Sequence, residues 1–259
     1  MPIIFYILLF IFGTAIGSFL NVLIDRLPKE ESIMGRSRCD SCGHQLGWRD
    51  LFPLVSYFFL MGKCRYCSKK VSIQYPLVEL ATGLLFVFAW VHVQPLGTGL
   101  MLKKFIILLI VSCFIVIFVS DAKHHVIPDS VQVALFSLSL FLPFSPEITA
   151  GLYLDRILAA FLVMAPILFL HVITRGKGMG FGDVKFAFIM GFLLGTLEGL
   201  IAIYLAFVLG GLVGIFLILF KLKQLKSKIA FGPFLVVGVF LVLFYKNVLV
   251  YVMKSMYGL

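Results

Sequence analysis

The chain has 259 residues, 61% of them hydrophobic and 13% charged, against the roughly 25% charged residues of an ordinary soluble domain. That composition excludes a water-soluble globular enzyme and places the chain in a bilayer. The net charge of +10 would suit a nucleic-acid binder, but the basic residues are distributed as topology signals and no nucleic-acid partner is expected.

The apolar residues fall into eight blocks, near 3–24, 77–95, 103–120, 130–145, 155–173, 185–199, 200–220 and 232–253. A helix needs about 17–25 such residues to cross a bilayer, so the sequence predicts an all-α polytopic membrane protein of about eight transmembrane helices. The first block has no basic segment before it and no small-residue cleavage site after it, and reads as a retained anchor. With the N-terminus outside, 17 of the 22 Lys and Arg residues fall on the cytoplasmic side, nine of them within 26–75 and others at Lys123, Arg175, Lys177, Lys185, Lys221, Lys223, Lys226 and Lys228. The opposite orientation inverts the bias, so both termini are expected outside. Three regions follow: a first transmembrane helix at 1–25, a cytoplasmic insertion at 26–76, and the remaining helices at 77–259.

The insertion is too small to bury much core, and units of that size usually need a metal or disulfides. Two C-x-x-C knuckles supply the answer, Cys39 with Cys42 and Cys64 with Cys67. Four thiolates so arranged suit tetrahedral zinc in a closed, structural site. Two disulfides are the alternative, which the reducing cytoplasmic side disfavours. Cys113, alone in an apolar block, reads as a packed residue. Glycine pairs at Gly13/Gly17, Gly191/Gly195, Gly195/Gly199 and Gly210/Gly214 read as helix packing.

Only twelve acidic residues occur, and those near membrane helices stand out: Glu79, Asp121, Asp129 and Asp183. Asp129 follows Pro128 at a helix start, where an acid complements the dipole. Asp121 ends an apolar block, where an acid is disfavoured. Asp183 closes the string Gly178-Met179-Gly180-Phe181-Gly182-Asp183, whose glycines permit positive φ and close approach of another chain; no phosphate-loop pattern is present. Two aspartates on different helices suit aspartyl proteolysis, in which one carboxyl holds a proton while the other activates water. From the residues alone, a proton-coupled transporter with paired acids is the alternative. By helix dipole, Asp183 is expected to be the ionised partner and Asp121 the protonated one.

The whole set of motifs resembles the type IV prepilin peptidases, bacterial membrane aspartyl proteases of the glycine-x-glycine-aspartate type. The resemblance rests on Gly17-Ser18-Phe19-Leu20-Asn21-Val22 with Arg26-Leu27-Pro28, the four cysteines, Tyr75-Pro76-Leu77-Val78-Glu79, the Asp121 to Asp129 string, Gly180-Phe181-Gly182-Asp183-Val184-Lys185, and Phe231-Gly232-Pro233-Phe234. It implies that Asp121 and Asp183 form the catalytic pair, that the substrates are prepilins or pseudopilins, and that the protein sits in the bacterial inner membrane with its catalytic residues near the cytoplasmic face. Many members with the cysteine insertion also methylate the new N-terminal amine with S-adenosylmethionine. Gly180, Gly182, Lys185, Asp129 and Glu79 are expected as substrate or active-site support. For Glu79 the choice is between contact with a basic leader or a donor methionine moiety and a helix acid paired near the interface; Lys185 reads equally as a topology anchor.

Overall fold

The structure, a computed structural model, describes residues 3–93, 100–141, 150–221 and 229–257. Lys223, Lys226, Lys228 and the block ends at 94–95 and 142–145 lie outside the described residues. Nine helices are described in chain order: α1 (Ile3–Arg26), α2 (Val55–Phe59), α3 (Gln74–His92), α4 (Leu100–His124), α5 (Asp129–Phe141), α6 (Ala150–Ile173), α7 (Phe181–Leu194), α8 (Thr196–Leu219) and α9 (Gly232–Tyr257). Among the described residues there is no strand, only two isolated antiparallel bridges, Arg38 with Gln45 and Lys63 with Lys70.

Each of the eight apolar blocks overlaps a helix, and the described residues form an all-α fold. Five helices, α1, α3, α4, α6 and α8, are long and apolar enough to cross a membrane. The others are shorter as apolar segments: α5 has 13 residues and α7 has 14, which at helical rise reach only about 20 Å, less than the hydrocarbon thickness. In α1 the side chains of Ile3, Ile7, Leu8, Ile11 and Phe12 are all more than half exposed. Apolar residues turned outward like this fit lipid contact and would be a liability in water. The break between the sixth and seventh blocks falls at Gly195, earlier than the 199/200 boundary read from hydropathy. Gly195 has φ +96°, a conformation that ends α7 and that glycine adopts without strain.

The chain divides into two compact units. The first holds α1 to α3 and the middle of α4. In it α1 crosses α3 at glycines: a Cβ on Gly13 would lie 2.8 Å from Gly83 Cα, and one on Gly17 would lie 2.7 Å from Glu79 Cα. The small-residue pair read from the sequence is therefore the contact surface between these two helices. One turn beyond Gly17, the Asn21 side chain donates to the Tyr75 carbonyl at 3.1 Å. This bond ties α1 to the first turn of α3.

The second unit holds the two ends of α4 with α5 to α9. Here Gly191 of α7 meets α6 so closely that a Cβ would lie 2.6 Å from the Ala159 carbonyl, and Gly199 of α8 stands equally near Val163. Gly238 of α9 abuts the Ala202 carbonyl of α8. Arg156 of α6 donates to the Leu193 carbonyl at 3.0 Å, satisfying one of the carbonyls left open at the end of α7. Together these contacts pack the C-terminal end of α7 on α6, and α8 on α6 and α9.

Candidate active site

Asp121 lies in the last turn of α4 and is 6% exposed. Its Oδ2 accepts the Gly232 N–H at 2.8 Å, the first N–H of α9. A Cβ on Gly232 would sit 2.7 Å from that same oxygen, so glycine alone permits the approach. The sequence argument placed Asp121 at the negative end of α4. The structure also places its carboxylate at the positive end of α9, whose free N–H groups stabilise an anion. The dipole asymmetry expected between the two aspartates is reduced, because each meets a helix N-terminus while Asp121 also ends α4.

Asp183 is the third residue of α7 and is 8% exposed. Its Oδ2 accepts the Gly180 N–H at 3.0 Å, which is the acid half of a capping box; the group therefore also stabilises the helix it begins. Oδ1 of Asp183 is buried without a hydrogen-bond partner among the described residues, and is the carboxyl oxygen open to a proton, a water or a substrate. Asp121 and Asp183 lie within electrostatic reach of each other. Both carboxyls are buried, and they come from different helices of the same unit.

The flanking loops meet each other. Cβ of a residue substituted at Gly182 would touch Ile127 at 3.4 Å, which brings the Ile127-Pro128-Asp129 corner against the glycine loop. Lys185 donates to both oxygens of Asp129 at 2.8 Å. That pair clips the start of α5 to the first turns of α7, and its exposure makes it a guide to position more than a source of stability. Of the residues expected as support, Gly180 bonds Asp183 and Gly182 packs on Ile127, whereas Asp129 and Lys185 pair with each other. Glu79 belongs to the first unit.

Two residues to which the sequence reading gave no role also belong here. Gly232 was visible as part of a Gly-Pro start to an apolar helix, a pattern that signals free N–H groups; what those groups face was not. His171 of α6 holds the Met179 carbonyl through Nδ1 at 2.8 Å, packs beside Phe181 at 5.7 Å between ring centroids, and lies within electrostatic reach of Asp183. A lone histidine in an apolar helix carries no local sign of such a part.

The cysteine insertion forms two matching turns. Gly43 N–H bonds the Cys39 carbonyl at 2.8 Å and Ser68 N–H the Cys64 carbonyl at 2.9 Å; Cys39 N–H reaches His44 and Cys64 N–H reaches Lys69. The residue after each second cysteine is left-handed, Gly43 at φ 69° and Ser68 at φ 57°. Asp50 latches the turns together, accepting from Gly47 N–H at 3.0 Å and Tyr66 hydroxyl at 3.2 Å while pairing with Arg65 at 2.7 Å. All four sulfurs lie within 4.8 Å of one another, and Cys39 and Cys67 are 3.8 Å apart. A tetrahedron with zinc–sulfur bonds of about 2.3 Å has edges of about 3.8 Å, so the sulfur set fits a metal ion. The backbone N–H groups of Ser41 and Cys42 lower the Cys39 thiol to about 7, which prepares a thiolate ligand. At Cys67 the Lys69 N–H acts downward, but burial and the neighbouring thiols push it up to about 11, since four thiolates cannot gather without a cation.

The model of the bacterial peptidase A24 N-terminal domain matches residues 11–93, and that of the type IV leader peptidase family matches residues 107–219. A protein of Bacillus subtilis (strain 168) named prepilin leader peptidase/N-methyltransferase is 32% identical over 243 residues, covering 92% of this chain and 93% of its own. One of the same name from Aeromonas hydrophila is 29% identical, covering 92% and 90%. Another from Myxococcus xanthus (strain DK1622) is 42% identical over 135 residues, half of this chain and 37% of its own length. No solved structure matches the chain. With matched motifs on both units and a relative of this identity along nearly its whole length, the chain belongs to the type IV leader peptidase family.

Proposed function

We propose that this protein is a membrane aspartyl endopeptidase that removes the leader peptide of type IV prepilin or pseudopilin precursors, with Asp121 and Asp183 as its catalytic pair. The observation that carries this reading is the pair of buried carboxyls on two helices, each with one oxygen anchored by a backbone N–H. Anchoring of that kind holds the groups in place without using the oxygens needed for chemistry. Two buried carboxyls within electrostatic reach of each other cannot both ionise, so the pair holds one proton. The ionised member takes a proton from water as it attacks the scissile carbonyl. The protonated member donates to the developing oxyanion, and the proton then passes to the leaving amine. The comparisons give no support to the transporter alternative.

The relatives' shared name carries a second activity, and N-methylation of the newly exposed amine is proposed with it. S-adenosylmethionine would supply the methyl group. The four cysteines would hold zinc as a structural ion, since a closed sulfur set offers no open position for substrate. By the bias of the basic residues, the insertion and the aspartates would lie on the cytoplasmic side of the bacterial inner membrane, with both termini outside.

The test is incubation of the purified protein in detergent with a prepilin, with the product weighed by mass spectrometry. Asp121→Asn and Asp183→Asn each keep the shape of the side chain but cannot exchange the proton, and cleavage is expected to fall by roughly a hundredfold or more. Near-normal cleavage by either variant removes the pair from the mechanism.

A further inference from the structure

The catalytic pair leaves unused a cavity elsewhere among the described residues. It has a volume of about 680 Å³ and lies wholly within the first unit, between the end of α1, the cysteine turns and the start of α3. That is within the roughly 300–1,000 Å³ of small-molecule sites. Two buried acceptors line it. Asn21 is 3% exposed, and while its amide N–H holds the Tyr75 carbonyl, its Oδ1 has no partner among the described residues. Buried carbonyl oxygens are nearly always satisfied, so an orphaned one calls for a donor. Glu79 is 8% exposed, and its Oε2 accepts the Leu54 N–H at 2.8 Å. Tyr75 and Glu79 are four residues apart and share one face of α3, so the Asn21 amide and the Glu79 carboxyl stand about one helical turn from each other.

An acceptor and a carboxylate one turn apart suit a small group with several N–H donors and a positive charge. The lining as a whole carries eight Lys or Arg and five Asp or Glu. A basic leader peptide would be repelled by that excess. The amino-acid head of a sulfonium methyl donor would not be, because its ammonium can meet Asn21 and Glu79 while its carboxylate meets basic groups such as Arg38 or Lys63. We infer that this cavity is the methyl-donor site and that Asn21 and Glu79 receive the donor's α-ammonium group, an inference that rests on the transferase reading above. In the transfer the lone pair of the new N-terminal amine forms the N–C bond, the C–S bond breaks with its electron pair going to sulfur, and the secondary ammonium returns a proton to water. Cys39 and Cys64 line the same cavity, which links the ordering of the cysteine turns to the shape of the site.

The test is isothermal titration of the full-length protein in detergent with S-adenosylhomocysteine, comparing wild type with Asn21→Leu and Glu79→Gln. Zinc content and helical circular dichroism report whether each variant is folded, and the near-isosteric Glu79→Gln decides the matter should Asn21→Leu not fold. Saturable binding by wild type, weakened at least tenfold in each folded variant, is the expected result. Unchanged affinity in the folded variants overturns the assignment. So does a loss of affinity for a synthetic basic leader peptide with none for S-adenosylhomocysteine, which makes the cavity a peptide site. Wild-type protein that cannot methylate a cleaved pilin defeats the transferase reading itself, whereas normal methylation with unaltered binding defeats only the placement of the donor.

Discussion

At the scale of single residues, a backbone N–H at a helix start reaches each carboxyl of the proposed pair. Asp183 receives its donor from within its own helix, three residues away, whereas Asp121 receives its donor from a residue 111 positions further along the chain. The second contact is the more vulnerable. Gly232→Ala places a methyl group 2.7 Å from Asp121 Oδ2, where no Cβ fits, so the carboxylate must turn away from α9. Cleavage is expected to fall at least tenfold with helical content unchanged, because a displacement of about 1 Å at a reacting group can cost a hundredfold. Circular dichroism and the prepilin assay together check it; normal turnover by Gly232→Ala shows that the contact does not position the aspartate.

At the scale of elements, the two units rely on different devices. The cysteine turns have little core, and Asp50 together with the metal ion proposed for the four sulfurs would do what burial does elsewhere. Replacing any one of Cys39, Cys42, Cys64 or Cys67 with Ser is expected to release the metal entirely, since structural zinc contributes on the order of 10 kcal/mol to a small domain. The ligands bind as thiolates, so protons compete with the metal: zinc is retained near neutral pH and released as pH falls. Metal analysis after dialysis across an acid series reads both effects. In α1 and α3 the device is close approach. Gly17→Ala drives a methyl into the backbone at Glu79 and is expected to destabilise the helix pair by roughly 1–3 kcal/mol, seen as earlier thermal aggregation of the detergent-solubilised protein than for wild type.

At the scale of the whole molecule, the positions of the basic residues predict orientation. Nine of them lie within 26–75, a density that holds such a segment on the cytoplasmic side. Cysteines introduced one at a time at Lys29 and near the C-terminus at Ser255, in a background with Cys113 and the four insertion cysteines replaced by serine, are expected to react oppositely with a membrane-impermeant thiol reagent applied to whole cells. The Ser255 cysteine is labelled, and the Lys29 cysteine only after the membrane is opened. Labelling of both in intact cells contradicts the topology.

How much of this was legible beforehand varies with the range of the interaction. Composition determined the class, because no soluble protein exposes so much apolar surface, and the eight apolar blocks located the helices to within a few residues. The cysteine spacing determined a metal-sized cluster, since each knuckle is a turn closed by bonds between near neighbours. Asp121 and Asp183 stood out because an acid near a membrane helix is costly enough to need a reason. Only the tertiary structure decided what surrounds them. That Gly232 meets Asp121, that Lys185 answers to Asp129, and that Asn21 holds the Tyr75 carbonyl are contacts between segments far apart in the chain. Local periodicity and spacing report the conformation of neighbours; which helix starts against which carboxyl is set by packing, where glycines let backbones approach to van der Waals contact.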